Sequence, residues 1–460
     1  MQQKYFLFLS LILFFVVVII VSYLLIYPTI NSDSGYYLSV AKEVYSGKIY
    51  FKEIATNYNP LAILLIGIPN LFINEPDIRI NLIINLIFIL GSTFMFYKII
   101  SKIKNSKIEI LFYVLFFLLG TLNLEARSII LEPVSVFFQI TSFYLYLEFK
   151  SNLNLFYLFI SGIFVSLSFL SKQYGLFILA PILIDLIINQ DKILKKIILF
   201  SFGIFVPIFV FFIYLSIQEV TLIQFIKHIF GVGTNLDIGS GTGLYYNLTI
   251  FSICFAVFSL ANLYLLIVPF FIFKIKKNDI RFFLIFVLSF IFSLLVLAKA
   301  SFYHYFQYII PYSLIAYVYL ELNYGSNFTK LLKNIFFTLS ICFVSYTNLK
   351  NLNSSEKTYK AQNETATQIN IFIPKNKQVF LHGLSQEYYI LCNFNSINSS
   401  KIGYGFPEYF FIKTIVKNTQ KDSYIIVSDN LFKNYSGFIN QFSVKKIILN
   451  KNNYFILKKK

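Results

Sequence analysis

The chain has 460 residues, 57% of them hydrophobic and 13% charged, with a formal net charge of +18 and a mean hydropathy of +0.70. Soluble domains are about half apolar and about a quarter charged. These figures exclude a water-soluble enzyme, a disordered chain and a disulfide-stapled secreted domain, and imply an α-helical polytopic membrane protein. In a soluble chain the basic excess would suggest nucleic acid. Here its cause is topological, since Lys and Arg collect in cytoplasmic loops, and no nucleic-acid partner is expected. The three cysteines, Cys254, Cys342 and Cys392, form no metal-type pair. The abundant Phe and Tyr, beside much Ile, Lys and Asn, reflect a coding bias and carry no functional weight.

In chain order, the first apolar run is 5–27, behind Lys4. It is too long for a signal-peptide core and reads as a retained helix. Further runs suited to crossing a bilayer are 79–100, 108–124, 128–148, 153–170, 175–189, 193–217, 247–273, 280–298, 303–322 and 329–347. That makes about eleven transmembrane helices of about 20 residues each. With the N-terminus in the cytoplasm, the inner loops hold Lys98, Lys102, Lys104, Lys107, Lys150, Lys192, Lys195, Lys196, Lys274, Lys276, Lys277, Arg281, Lys330 and Lys333. The outer loops hold chiefly Arg127, Lys172 and Lys299. The asymmetry predicts an odd number of spans in the cell membrane and an extracytoplasmic C-terminal tail.

Two regions do not span. Residues 28–78 form a long external loop. Within it, Tyr36, Tyr37, Val40, Ala41 and Val44 recur at helical spacing, so 35–46 reads as an amphipathic helix lying at the interface. Pro60 opens a second helix over 60–72. Residues 348–460 come after the transmembrane domain of 1–347. They begin with a polar linker, Asn351 to Lys357, and continue as strand-like runs at 377–381, 388–392, 424–428, 444–449 and 453–457. A helical stretch lies at 407–418. This tail is expected to be a small α/β domain with a basic face. No internal repeat is evident, which argues against a transporter built on inverted repeats.

Charges beside membrane spans are expensive and each needs a reason. Asp33 opens the external loop in Ser32-Asp33-Ser34-Gly35-Tyr36-Tyr37, as a helix N-cap or as a carboxylate that takes a proton from an attacking hydroxyl or amine. Arg127 ends the fourth span on its outer side, and Glu132 sits more than a turn deeper. They read as a structural pair, or as an anion-binding arginine beside a second active-site carboxylate. Lys172 interrupts the turn between spans five and six. It either snorkels to the surface or offers a point charge for phosphate. His304 and Tyr305 mark the outer start of the tenth span, where a lone histidine reads as a hydrogen-bonding group before a metal ligand. The glycine-rich stretch from Gly231 to Gly243 lacks the Gly-Lys-Ser/Thr ending of a phosphate loop and reads as a mobile loop or a linker.

In order, these features resemble the GT-C class of membrane glycosyltransferases, and most closely the branch of protein O-mannosyltransferases and lipid A aminoarabinose transferases. The series is Asp33-Ser34-Gly35-Tyr36-Tyr37, then Ser46-Gly47-Lys48-Ile49-Tyr50, then Tyr58-Asn59-Pro60-Leu61. Ala126-Arg127 through Glu132, then Lys172, then His304-Tyr305 through Pro311 complete it. Ser34 stands where many members carry Glu, and Tyr58-Asn59-Pro60 where Lys-Pro-Pro is usual.

The resemblance implies a GT-C-like bundle and transfer of a sugar from a polyprenyl-phosphate donor at the outer face, to a lipid, glycan or protein acceptor. It implies Asp33 as base, with Glu132 orienting Arg127 or the acceptor. Arg127, Lys172, His304 and Tyr305 would hold the donor phosphate, and Tyr36, Tyr37 and Tyr58 would stack on the sugar. It leaves room for a divalent cation and names no other cofactor; membrane lipid is the remaining partner. A transporter or flippase of lipid-linked sugars, or a non-catalytic scaffold for envelope assembly, is the alternative.

Overall fold

The computed structural model describes residues 2–54, 56, 58–72, 77–126, 128–188, 192–226, 244–268, 271, 303–396, 416–417, 419–449 and 452–460. Helices dominate up to residue 370. They are α1 (Gln2–Ile26), α2 (Ser32–Tyr45), α3 (Pro60–Gly67), α4 (Ile78–Ile103), α5 (Lys107–Thr121) and α6 (Glu132–Asn152). After them come α7 (Leu155–Ser171), α8 (Leu179–Ile188), α9 (Ile193–Ile217), α10 (Leu244–Ala261), α11 (Ile310–Tyr324) and α12 (Asn327–Asn370). Among the described residues, five helices are long and apolar enough to cross a membrane. The span expected over 280–298 lies outside the described residues.

Small residues set the helix packing, as they do where lipid removes any hydrophobic drive between helices. Ser135 on α6 and Ser168 on α7 each donate a hydroxyl to the other's carbonyl, at 3.0 and 2.7 Å. Ser142 and Ser161 repeat the exchange two turns further along, at 2.9 Å each way. A methyl group at Gly162 of α7 would overlap the carbonyl of Phe200, and one at Gly203 of α9 that of Phe159. These helices therefore touch backbone to backbone at that level. At the end of the bundle far from Lys172, buried Glu321 of α11 accepts from Lys104 and Lys333, each at 2.8 Å, and Lys104 also reaches Glu109 at 2.8 Å. One ion network thus binds the ends of α4, α5, α11 and α12.

Three expectations are corrected. The interfacial helix starts three residues early, at Ser32, and does not lie on a surface. Residues 34–41 are buried, because one face of α2 packs on α3 and the other on the tail domain. The polar run Asn351–Lys357 is not a linker but part of α12, which continues for 44 residues. Its composition is polar, yet it holds no Gly or Pro, and Pro374 stands just past the helix end. At about 1.5 Å per residue such a helix is twice as long as the hydrocarbon core is thick. It therefore leaves the bundle and carries Ala366 and Ile369 into the core of the tail. Finally, residues 388–392 are helical, as α13 (Glu387–Leu391), rather than a strand. A short run apolar on all sides fits a buried helix as well as a strand.

The tail is a five-stranded sheet of β1 (Gln378–His382), β2 (Asn395–Ser396), β3 (Tyr424–Ser428), β4 (Phe442–Leu449) and β5 (Asn452–Lys459). The order is β2-β1-β3-β5-β4, with β1 parallel to β2 and β3 and the other pairings antiparallel. Alternation sends Val379, Leu381 and Ile426 to the face covered by α12 and α13, and Phe380, Ile425 and Val427 to the other. The helical stretch expected at 407–418 lies almost wholly outside the described residues.

Candidate active site

Glu132 and Lys172 meet at one end of the bundle. Glu132 begins α6 and Lys172 comes directly after the last residue of α7, so the Ser135–Ser168 exchange one turn away sets the register that brings them together. Lys172 donates to Glu132 Oε1. It is only 2% exposed and Glu132 is fully buried. A snorkelling lysine does not describe this contact, and the expected Arg127–Glu132 pair falls on a residue outside the described ones. The lysine does not snorkel because its ammonium turns inward to the Glu132 carboxylate, although Gln173 and Tyr174 beside it are partly exposed.

Three rings enclose the ammonium. Its distance to the ring centroid is 4.7 Å for Tyr305, 5.7 Å for Tyr58 and 5.9 Å for Tyr174, within range of a cation–π attraction. His304 Nε2 lies 3.5 Å from the same carboxylate oxygen of Glu132. Tyr58 is held in place by its neighbour Asn59, whose side chain donates to the Phe169 carbonyl near the end of α7. Pro60 opens α3 at its first position, as proline favours.

Asp33 stands in the first turn of α2 and is half-buried. It is not the N-cap; Asn31 is, accepting from the Ser34 amide at 2.7 Å. The rings of Tyr36, Tyr37 and Tyr58 form one cluster, with centroids 5.1 to 6.0 Å apart. Burial pushes the Tyr37 phenol well above its usual value, and Tyr58, Asp33 and Glu132 push it further. Burial also raises Tyr58. Both phenols therefore stay protonated donors at physiological pH, and Tyr37 senses both carboxylates.

The structure brings together Asp33, Tyr36, Tyr37, Tyr58, Glu132, Lys172, His304 and Tyr305. Arg127 lies outside the described residues, as does the glycine-rich stretch 231–243. The backbone on either side of Arg127 is anchored in the site. Gln307 donates to the Leu124 carbonyl at 2.7 Å, within a single π-helical turn over Leu122–Ala126. Ser34 donates to the Ile129 carbonyl at 2.8 Å. Sequence reasoning missed Tyr174, whose ring faces the Lys172 ammonium, and Tyr308, whose ring centroid is 6.4 Å from that of Tyr174. Both were within reach of a spacing argument, since Tyr174 is two residues after Lys172 and Tyr308 one helical turn after His304. Among the described residues, no three His, Cys, Asp or Glu side chains converge as a metal site.

The far face of α2 is fastened to the tail. Lys42 donates to the Asn393 side-chain oxygen at 2.8 Å and to the Phe394 carbonyl at 3.0 Å. Burial lowers its pKa, and the neighbouring Glu43 opposes that shift. Lys42→Met removes two charge-assisted bonds and is expected to cost about 1–3 kcal/mol. Hydrogen exchange of the amides over 33–42 should quicken; unchanged protection would show that α2 is held by other contacts.

Residues 40–226 match the family model described as dolichyl-phosphate-mannose-protein mannosyltransferase. Over almost its whole length the chain is similar to ArnT from Cupriavidus metallidurans. The apo crystal structure of that protein gives a TM-score of 0.63 at 11% identity, covering 96% of this chain and 97% of that one. The crystal structure bound to undecaprenyl phosphate gives 0.62 at 12%, covering 98% and 97%. The fold is that of the GT-C class. The resemblance carried by the ordered motifs is thus borne out at the level of architecture, and the chain is a multi-pass membrane protein. The matched family segment includes Tyr58, Arg127, Glu132 and Lys172. Asp33, Tyr36, Tyr37, His304 and Tyr305 lie beyond it, and their clustering rests on the geometry above. No curated protein sequence matches the chain.

Proposed function

We propose that this GT-C protein is a membrane glycosyltransferase that moves a sugar from a polyprenyl-phosphate donor to a lipid, glycan or protein acceptor at the outer face. The observation that carries the reading is the sealed Lys172–Glu132–His304 group under a roof of tyrosines, with half-buried Asp33 beside it. A group transfer from a lipid phosphate makes two demands: a base for the acceptor and positive charge for the departing phosphate. Asp33 takes the proton of the acceptor hydroxyl. The acceptor oxygen bonds to the anomeric carbon as the bond from that carbon to phosphate oxygen breaks, and polyprenyl phosphate leaves with the electron pair.

Among the described residues, Lys172 is balanced by Glu132, and Asp33 adds a further negative charge. A phosphate entering this site therefore needs more cation than Lys172 alone. Arg127 supplies it, since a guanidinium fork suits phosphate, with His304 and Tyr305 as further donors and a divalent cation as an addition. Lys172 has two N–H groups beyond the one given to Glu132 and turns them to the phosphate. Tyr36, Tyr37 and Tyr58 offer flat faces to the sugar. The lysine-rich loops support a cytoplasmic N-terminus and an extracytoplasmic domain over 348–460.

The test uses purified protein in lipid with labelled polyprenyl-phosphate sugars and crude envelope as acceptor. Free polyprenyl phosphate should appear with wild type, and Asp33→Asn should lower its rate by about 10²–10⁴-fold, the usual contribution of a general base. Release at the wild-type rate from the variant would remove Asp33 from the mechanism. Binding of donor without release would instead indicate a flippase.

A further inference from the structure

A groove lies at the end of the bundle opposite the candidate active site. Helices α7 and α9 are pressed together at Gly162 and Gly203, then part toward their N-terminal ends. The space between them has a volume of about 710 Å³. Leu155, Phe156 and Phe159 of α7 line it on one side and Ile198, Leu199 and Phe202 of α9 on the other. Several of these are more than half exposed, Phe156 at 62% and Ile198 at 59%. One charged side chain, Lys195, stands at its edge.

The N-terminus of α9 strengthens the case for an anion. The first turn of a helix carries unsatisfied N–H groups and the positive end of the dipole, so acids are favoured there. Here the N-cap is Lys192, its side chain makes no capping bond, and the first turn holds no acid. Lys195 and Lys196 come next, Lys196 lying over the Phe149 ring at 5.7 Å. Asp191 is the nearest acid in sequence and lies outside the described residues. Lys195 and the N-terminus of α9 thus sit at the mouth of an apolar groove in a membrane-spanning bundle, with Lys192 and Lys196 adjacent in sequence. A head with negative charge joined to a long apolar tail satisfies both halves of this surface.

We infer that the α7–α9 groove binds an anionic phospholipid of the leaflet farther from the active site, with an acyl chain between the helices and the phosphate at Lys195 and the first-turn amides of α9. Such binding requires only that the chain spans a membrane and is independent of the proposed reaction. A lipid here would hold together the helix pair whose opposite end carries Lys172.

The chain has no tryptophan, so Phe156→Trp places a single fluorophore in the groove. The protein would be reconstituted in phosphatidylcholine vesicles containing a minor fraction of either brominated phosphatidylglycerol or brominated phosphatidylcholine. Quenching by the anionic lipid should be stronger, equivalent to about fivefold tighter association for one lysine contact. Lys195→Gln should erase the difference. Phe209→Trp, exposed on the same helix two turns beyond the groove, should show no preference. Equal quenching by both lipids at position 156, a preference that survives Lys195→Gln, or the same preference at position 209 would each overturn the inference. Leu155→Trp serves as a second reporter if Phe156→Trp folds poorly.

Discussion

Lys172→Met is expected to abolish the proposed transfer and to lower stability by about 3–5 kcal/mol, the range for removing one partner of a buried ion pair. The physical reason is the fate of Glu132. Its carboxylate is fully buried, and without Lys172 it keeps only His304, 3.5 Å away, as a charge partner among the described residues. Three tyrosine rings lose the cation they enclose at the same time. The double variant Lys172→Met/Glu132→Leu separates structure from chemistry. With both charges gone the buried cost is relieved, since apolar replacement of a whole ion pair is often neutral or stabilising. Thermal unfolding should therefore return toward wild type while polyprenyl-phosphate release stays absent. Should the double variant regain transfer together with stability, Lys172 is a structural cation and the donor phosphate is held elsewhere.

That pair also shows what the sequence could and could not reveal. Each charge is conspicuous alone, because Glu132 and Lys172 interrupt apolar runs where a charge needs a reason. Their pairing is not conspicuous. Forty positions separate them, and what aligns them is the Ser135–Ser168 exchange between α6 and α7. Serines in an apolar span look like ordinary small residues until both helices are placed. Asp33 reads as an N-cap in the sequence because a short acid before a helix commonly caps it. Asn31, two residues earlier, takes that role. The apolar runs up to residue 217 fall on helical segments to within a few residues, since length and apolarity are strong signals in a bilayer. The tail is harder. In water, polarity does not distinguish a long exposed helix from a linker, and Asn351–Lys357 belongs to α12.

The shared helix α12 and the seating of α2 on α13 join the tail to the chemistry more closely than a separate domain would require. Along α2, Asp33, Tyr36, Tyr37 and Val40 recur at the spacing of one face. Gly35 and Lys42, seven residues apart, mark another. The first face meets Tyr58; the second meets the tail, where Lys42 bonds to Asn393 and Phe394. Movement of the tail against the bundle therefore carries Asp33 with it.

Gly35→Val tests that coupling. A Cβ at position 35 would overlap the backbone N and Cα of Glu387. Backbone cannot rotate away as a side-chain tip can, so α2 and α13 must separate. Overpacking of this kind costs about 1–3 kcal/mol. The expected effect on rate is larger than the effect on stability, because displacing a reacting group by about 1 Å can cost about 10²-fold. Transfer should fall by about that factor while binding of labelled donor changes little, since Lys172, Tyr174 and Tyr305 stay in the bundle. Gly437→Ala, at a tail position where a Cβ meets nothing within 4 Å, should leave both measurements unchanged. Equal effects of the two substitutions on transfer would mean that the α2–α13 contact does not position Asp33. Loss of donor binding together with transfer in Gly35→Val would mean that the tail shapes the donor pocket itself.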